Sequence, residues 1–294
     1  MPPSLRHHLL THVMRRFFHT PAVTDVDAKA AELAARNRRE KTEPPFRFAK
    51  DWQVTTRDIG FPAYVLTPPD GSFSRTLVHL HGGSFTAPSH PNQWRFATRL
   101  ARRLDARLVF PAYPLAPDHT WRDSHEPLVG LLRDLAAEGP VVLAGDSAGG
   151  GLALAVAMGV RDAGGPQPSH LVLLSPWVDL TTSAPGTVEA GARDPWLNVE
   201  NVPVYAGYWA GSTDDLARPE VSPGLADVTG LPPTLMLCGT RDLLFPACQE
   251  LADRAAMRGW ECTFVVEPGL MHVYPLLPIP EAKRAFRQVV DFLT

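Results

Sequence analysis

The stretch VVLAGDSAGGGLALAVAM, Val141 to Met158, joins a short apolar run to a run of small and apolar residues at helical spacing. Val141 to Ala144 read as a buried strand, and Leu152, Val156 and Val160 recur every four residues, the spacing of one helix face. The chain therefore changes direction between Gly145 and Gly149, with Ser147 at the bend. Glycines on either side of that serine permit a tight, strained turn and a close approach of helix to strand. Gly145-Asp146-Ser147-Ala148-Gly149 fits the strand–turn–helix elbow that exposes a nucleophile. The competing reading is an ordinary glycine-rich turn whose serine caps the helix.

Outward from this elbow, strand and helix patterns alternate. Strands are expected at Trp52–Gly60, Phe61–Thr67, Leu77–Leu80, Leu108–Tyr113, Val141–Ala144, Leu171–Ser175, Thr234–Cys238 and Thr263–Glu267. Helices are expected at Val26–Lys41, closed by Pro44-Pro45, and at Gln93–Leu104, Ser124–Ala137, Ala148–Asp162, Cys248–Arg258 and Glu281–Leu293. This alternation specifies an α/β fold with a mostly parallel sheet and helices on both faces. Residues 179–224 break the rhythm with prolines, small residues and the aromatics Trp196, Tyr205, Tyr208 and Trp209. Open α/β sheets bind ligands beyond the carboxyl ends of their strands, so an insertion after the strand at Leu171 would roof such a site. Alternatively, these aromatics form the insertion's own core. The resulting division is an N-terminal helical cap segment at 1–50, core at 51–178, an inserted cap segment at 179–224, and core again at 225–294.

The 28 basic and 31 acidic residues give a formal charge of −3 without a long block of either sign, which disfavours a nucleic-acid partner. No apolar run approaches the roughly 20 residues of a membrane span. The N-terminal MPPSLRHHLLTHVMRRFF interrupts its apolar residues with histidines and arginines, unlike a cleaved signal peptide. It reads as an amphipathic helix that covers part of the protein or touches a membrane surface. A cytoplasmic location is expected, and membrane association is not. Cys238, Cys248 and Cys262 lack metal-type spacing and read as buried free thiols. No metal site is expected.

A nucleophilic serine needs a base, and the base needs an orienting acid. In elbow-bearing folds these follow in the order Ser, Asp or Glu, His. Downstream of Ser147 histidine occurs only at His170 and His272, and His170 enters a strand too close to Ser147 to follow an acid. His272, in PGLMHVYP after the last strand, is the candidate base. Asp242, in TLMLCGTRDLLF, is the candidate acid; Asp179 could serve only as a displaced acid, and Glu267 belongs to the last strand. VHLHGGSF, Val78 to Phe85, follows the third strand, and its glycines let backbone approach a ligand. The amides of Gly83, Ser84 and Ala148 would then form an oxyanion hole. His81 is assigned to holding that loop by hydrogen bonding. Phe85, Trp177, Trp196, Tyr205 and Trp209 are the candidate lining of a substrate pocket.

HGGSF at 81–85, YPLAPDH at 113–119, GDSAGG at 145–150, SPWVDL at 175–180, GTRDLL at 239–244 and MHVY at 271–274 together resemble the hormone-sensitive-lipase-like family of α/β-hydrolase esterases. The resemblance runs from about Val54 to the C-terminus. It implies an α/β-hydrolase fold with an eight-stranded core, a helical cap from the N-terminus and the insertion, a Ser147–His272–Asp242 triad, the same oxyanion hole and no cofactor. Three positions depart from the family pattern. Ser84 stands where a third glycine is usual, so the backbone must accommodate a Cβ. The family's YRLAPE reads YPLAPD, so any ion pair made by that arginine is missing.

The expected activity is hydrolysis of small-molecule carboxylic esters with short or medium acyl chains, through an acyl-enzyme. It should rise through roughly pH 6–7 as the histidine becomes neutral. A lactone, an acetylated natural product or an amide would use the same machinery. A non-catalytic small-ligand receptor on the same fold is the alternative of another class, opposed by the presence of His272 in register with Ser147 and Asp242. The oligomeric state is left open.

Overall fold

The computed structural model describes residues 2–294. Eight strands form one sheet: β1 (Gln53–Asp58), β2 (Pro62–Thr67), β3 (Arg75–Leu80), β4 (Ala106–Pro111), β5 (Val141–Asp146), β6 (His170–Leu174), β7 (Thr234–Gly239) and β8 (Cys262–Glu267). Their spatial order is β1-β2-β4-β3-β5-β6-β7-β8. β1 and β2 form an antiparallel hairpin turning at Gly60, whose φ of +94° suits glycine, and β2 pairs antiparallel with β4. The remaining neighbours are parallel.

The helices are α1 (Leu5–Val13, continued by a π turn at Met14–Phe18), α2 (Val26–Asn37), α3 (Phe46–Ala49), α4 (Pro91–Arg103), α5 (His125–Glu138), α6 (Ala148–Asp162), α7 (Thr187–Arg193), α8 (Val202–Ala210), α9 (Phe245–Arg258) and α10 (Pro280–Leu293). They cover both faces of the sheet. Successive side chains of a strand point to opposite faces. Accordingly Val141 and Leu143 of β5 join a core with α5, α6 and α9, while Val142 and Ala144 join a second core with α4 and α10. A strand buried on both sides must be apolar throughout, which is why VVLA lacks alternation.

Several boundaries differ from expectation for identifiable reasons. The strand expected at Leu108–Tyr113 lies two residues earlier, and Tyr113 leaves the sheet to donate its hydroxyl to His81 O. α9 starts at Phe245 instead of Cys248, with Pro246 in its first turn, where a missing N–H costs nothing. α4 begins with a capping box: His90 accepts the Asn92 N–H, and Gln93 reaches back to the His90 N–H.

The insertion at 179–224 carries α7 and α8. A strap just before α2 is bound to it at several points. Thr20 N–H donates to Trp196 O, Val23 N–H to Asn201 Oδ1, and Asn201 Nδ2 to Pro21 O. α1 takes a different place. Ser4 donates its backbone N–H and its hydroxyl to Glu281, in the first turn of α10. The covering role expected of the N-terminal stretch is only partly met, because Met14 is buried while Leu5, Leu9, Phe17 and Phe18 stay exposed. Among the described residues no helix is long and apolar enough to cross a membrane.

Candidate active site

At the elbow, Ser147 has φ 51° and ψ −124°, a left-handed φ that a residue with a Cβ rarely adopts. Its backbone is held on both sides: the N–H donates to Leu174 O, and the carbonyl accepts from Gly150, Gly151 and Trp177. A Cβ on Gly145 would lie 2.2 Å from Gly149 O, and one on Gly149 would lie 2.2 Å from Leu80 O. Both glycines are therefore obligatory. The Ser147 side chain makes no capping bond to α6, which removes the helix-cap reading.

The hydroxyl instead faces a histidine. His272 Nε2 is 2.9 Å from Ser147 Oγ, and His272 Nδ1 is 2.9 Å from Asp242 Oδ2. Asp242, in the loop between β7 and α9, also accepts the Leu244 N–H, and it is fully buried. His272 lies between β8 and α10, where Val273 takes φ 44° and donates its N–H to Ser175 Oγ. Burial opposes the charged imidazole, but the carboxylates of Asp242, Asp194 and Asp146 prevail and raise its pKa above the ordinary histidine value. With Nδ1–H donating to a carboxylate, Nε2 is free to accept the serine proton.

The rival residues lie elsewhere or are otherwise engaged. His170 meets Ser169 at the start of β6. The Asp179 carboxylate accepts from Thr181 and Ser183 in its own turn, and Glu267 pairs with Arg284.

After β3, Gly83, Ser84 and Phe85 take φ of +131°, +53° and +60°. Among the described residues the N–H groups of Gly83, Ser84 and Ala148 donate to no protein acceptor. This leaves all three available to a ligand. The loop is anchored by groups that the sequence did not advertise. Asp146 Oδ2 accepts the Gly82 N–H at 3.2 Å and Gln93 Nε2 at 2.8 Å, while Oδ1 lies 3.1 Å from His79 Nε2. From α2, Arg36 Nη2 donates to Thr86 O and Asn37 Nδ2 to Ala116 O. These bonds fix the loop without the arginine missing from YPLAPD. His81 donates from Nδ1 to Gly82 O and stacks on Tyr113 at 4.4 Å, and burial pushes its pKa down to about 4. A ring kept neutral in this way suits a hydrogen-bonding role.

These groups open into a cleft of about 510 Å³. Gly83, Ser84, Ser147 and His272 form its floor, and Leu33, Trp177, Trp196 and Tyr205 lie among its lining. Two expected pocket residues are corrected. Phe85 and Trp209 are stacked at 4.1 Å, nearly parallel and fully buried, so they belong to the core beneath the cap. Trp209 lies on the inward face of α8, and sequence alone could not separate that face from Tyr205. Among the described residues no cluster of three His, Cys, Asp or Glu side chains could hold a metal ion. Cys238 and Cys248 are buried thiols, and Cys262 is half-buried rather than buried as expected.

Comparison with known proteins bears on the fold and on the class of activity. Residues 77–276 match a family described as alpha/beta hydrolase fold. An acetyl-hydrolase of Streptomyces hygroscopicus is 34% identical over 227 residues, covering 74% of this chain and 75% of the relative. An esterase of Acinetobacter venetianus is 29% identical over 231 residues, covering 76% of each. The crystal structure of an esterase from the bacterial hormone-sensitive lipase family superposes with a TM-score of 0.79 at 27% identity, covering 100% of this chain and 98% of that one.

Proposed function

The chain belongs to the α/β hydrolase fold family and is a carboxylesterase-type hydrolase, and from that premise we propose that it cleaves small carboxylic esters through an acyl-enzyme on Ser147. The observation that carries the proposal is the unbroken chain from Ser147 Oγ through His272 to Asp242, each link 2.9 Å.

Ser147 Oγ attacks the acyl carbonyl while His272 Nε2 takes its proton. Asp242 holds the ring and stabilises the imidazolium. The carbonyl oxygen, now negative, receives the amides of Gly83, Ser84 and Ala148, and each such donor is worth about 2.7–4 kcal/mol of barrier. Collapse breaks the C–O bond to the leaving alcohol, which takes the proton from His272. Water then attacks the acyl-serine, giving its proton to Nε2, and the acid departs as Ser147 regains its hydrogen. The amides are held before substrate arrives, because Asp146, Gln93 and Arg36 fix the loop that bears them.

A cleft of about 510 Å³ with an aromatic and aliphatic lining suits short to medium acyl chains. An acetyl ester of a larger, polar alcohol is the second reading. The identity to a named acetyl-hydrolase favours it, as do Lys29, Arg36 and Asn198 along the cleft.

Hydrolysis of p-nitrophenyl esters from acetyl to decanoyl, with wild type and Ser147→Ala, tests the proposal. Loss of turnover by about 10⁴ or more in the variant is expected, together with a wild-type optimum at short or medium chains. Undiminished turnover by Ser147→Ala would overturn it.

A further inference from the structure

Asp194 ends α7 and is almost fully buried, although nothing in its sequence context suggests chemistry. Its Oδ1 accepts the N–H groups of Trp196 and Leu197 at 2.8 and 2.9 Å, which shapes the turn that follows. That turn places the Trp196 ring edge-on to His272, with centroids 5.8 Å apart. Oδ2 crosses to the core and accepts the N–H of Leu243 at 2.8 Å. Leu243 directly follows Asp242. A parallel tie runs from Arg241 to Arg193 O. The inserted segment thus grips the acid loop on both sides of Asp242.

From this geometry we infer that Asp194 is a positioning residue for the catalytic pair, a second carboxylate in the cap that fixes the Asp242 loop and adds its charge to the field at His272. The inference rests on the triad reading above. A neutral side chain capable of the Asx turn alone would suffice if Asp194 only shaped the cap. A carboxylate buried against another carboxylate is a poor choice for that purpose, since burial and Asp242 both raise its pKa, to about 6. The same charge favours the imidazolium. The charged groups acting on His272 are Asp242 from the β7–α9 loop, Asp194 from the cap and Asp146 from the elbow, all negative.

The experiment compares wild type, Asp194→Asn and Ser147→Ala. It reads kcat and KM on p-nitrophenyl butyrate across pH, thermal midpoint, and the NMR titration of the His272 ring protons. Asparagine keeps the shape and the Asx turn but removes the charge and turns a donor toward either the Leu243 N–H or the turn amides. The expected result is a His272 midpoint lowered by about half a pH unit or more, and kcat down about tenfold with KM within about twofold. An unmoved midpoint would overturn the inference, even with a lower thermal midpoint or kcat, because Asp194 would then be merely structural. Should Asp194→Asn fail to fold, Asp194→Ser supplies a turn-forming oxygen without charge and is read by the same titration. Turnover surviving in Ser147→Ala would defeat the triad reading instead. The His272 midpoint, which needs no turnover, would still report on Asp194.

Discussion

His272 Nε2 lies 2.9 Å from Ser147 Oγ across 125 residues of chain, and no side chain intervenes. The contact joins the strained turn after β5 to the loop after β8, two sites at the carboxyl end of one sheet. Its pH behaviour follows from its surroundings. The base works only when neutral, and three carboxylates raise its pKa, so the acid limb of kcat/KM should have its midpoint above the ordinary histidine value of about 6.5. Activity is therefore lost on going down through that midpoint, which lies above that of an unperturbed histidine. A limb centred below pH 6 would contradict the assigned environment.

Ser84 stands in the left-handed region at φ +53°. Such a conformation costs a residue with a Cβ roughly 1–2 kcal/mol, and glycine none of it. Ser84→Gly should keep kcat within about twofold and match or exceed the wild-type thermal midpoint. Ser84→Val, β-branched at positive φ, should lower that midpoint. Equal midpoints for the two variants would show that the backbone strain has no cost.

Gln93 links the glycine loop to the residue before the nucleophile, donating to both Asp146 Oδ2 and Gly82 O. Hydrogen bonds to a charged group contribute about 1.5–3 kcal/mol. Gln93→Leu, similar in volume, should therefore reduce kcat by about tenfold or more while changing KM little, because the amides it orients act mainly on the transition state. Steady-state kinetics at saturating ester decides; an unchanged kcat would mean that Arg36 and His81 hold the loop without it.

Glu281 anchors α1. Burial opposes its charge, but the N–H and hydroxyl of Ser4 hold its pKa below the usual glutamate value. A depressed carboxylate stabilises the fold above its unfolded pKa of about 4.3, and that contribution is lost as pH falls through the lower folded value. Amide exchange in residues 5–13 should accelerate over that acid interval in wild type. Glu281→Gln should show fast exchange already at neutral pH. Slow exchange in both at neutral pH would assign the docking of α1 to its buried residues His7, Thr11 and Met14.

How much of this was legible depended on whether a function is carried by local pattern. Ser147 announces itself because its turn demands glycines at 145 and 149, which leave a mark in the sequence. Asp242 and His272 follow from chain order and strand ends, and the resemblance of six short motifs to hormone-sensitive-lipase-like esterases pointed to the same family. The eight strands were placed to within a few residues. Groups acting across the fold were hidden. In the sequence Gln93 is only the start of a helix, Arg36 one charge within another, and Asp194 one residue of the insertion. Asp146 sat inside the motif but at a position where any residue satisfies the pattern. Burial is likewise not local, so nothing in PVYAGYWA tells which aromatic faces the cleft and which fills the core.

The strap at residues 20–23 is bound to Asn198 and Asn201, roughly 180 positions later. On a ribosome adding about 5–20 residues per second, the N-terminal segment would wait on the order of ten seconds or more for its partner to emerge. During that interval α2 has no roof to join, and its Arg36 cannot yet serve a finished cleft. His272 comes later still, and Ser4 meets Glu281 only after some 277 further residues have been added. Assembly of the cleft therefore waits for residue 272, and nascent chains short of it would carry the elbow serine without a base to activate it.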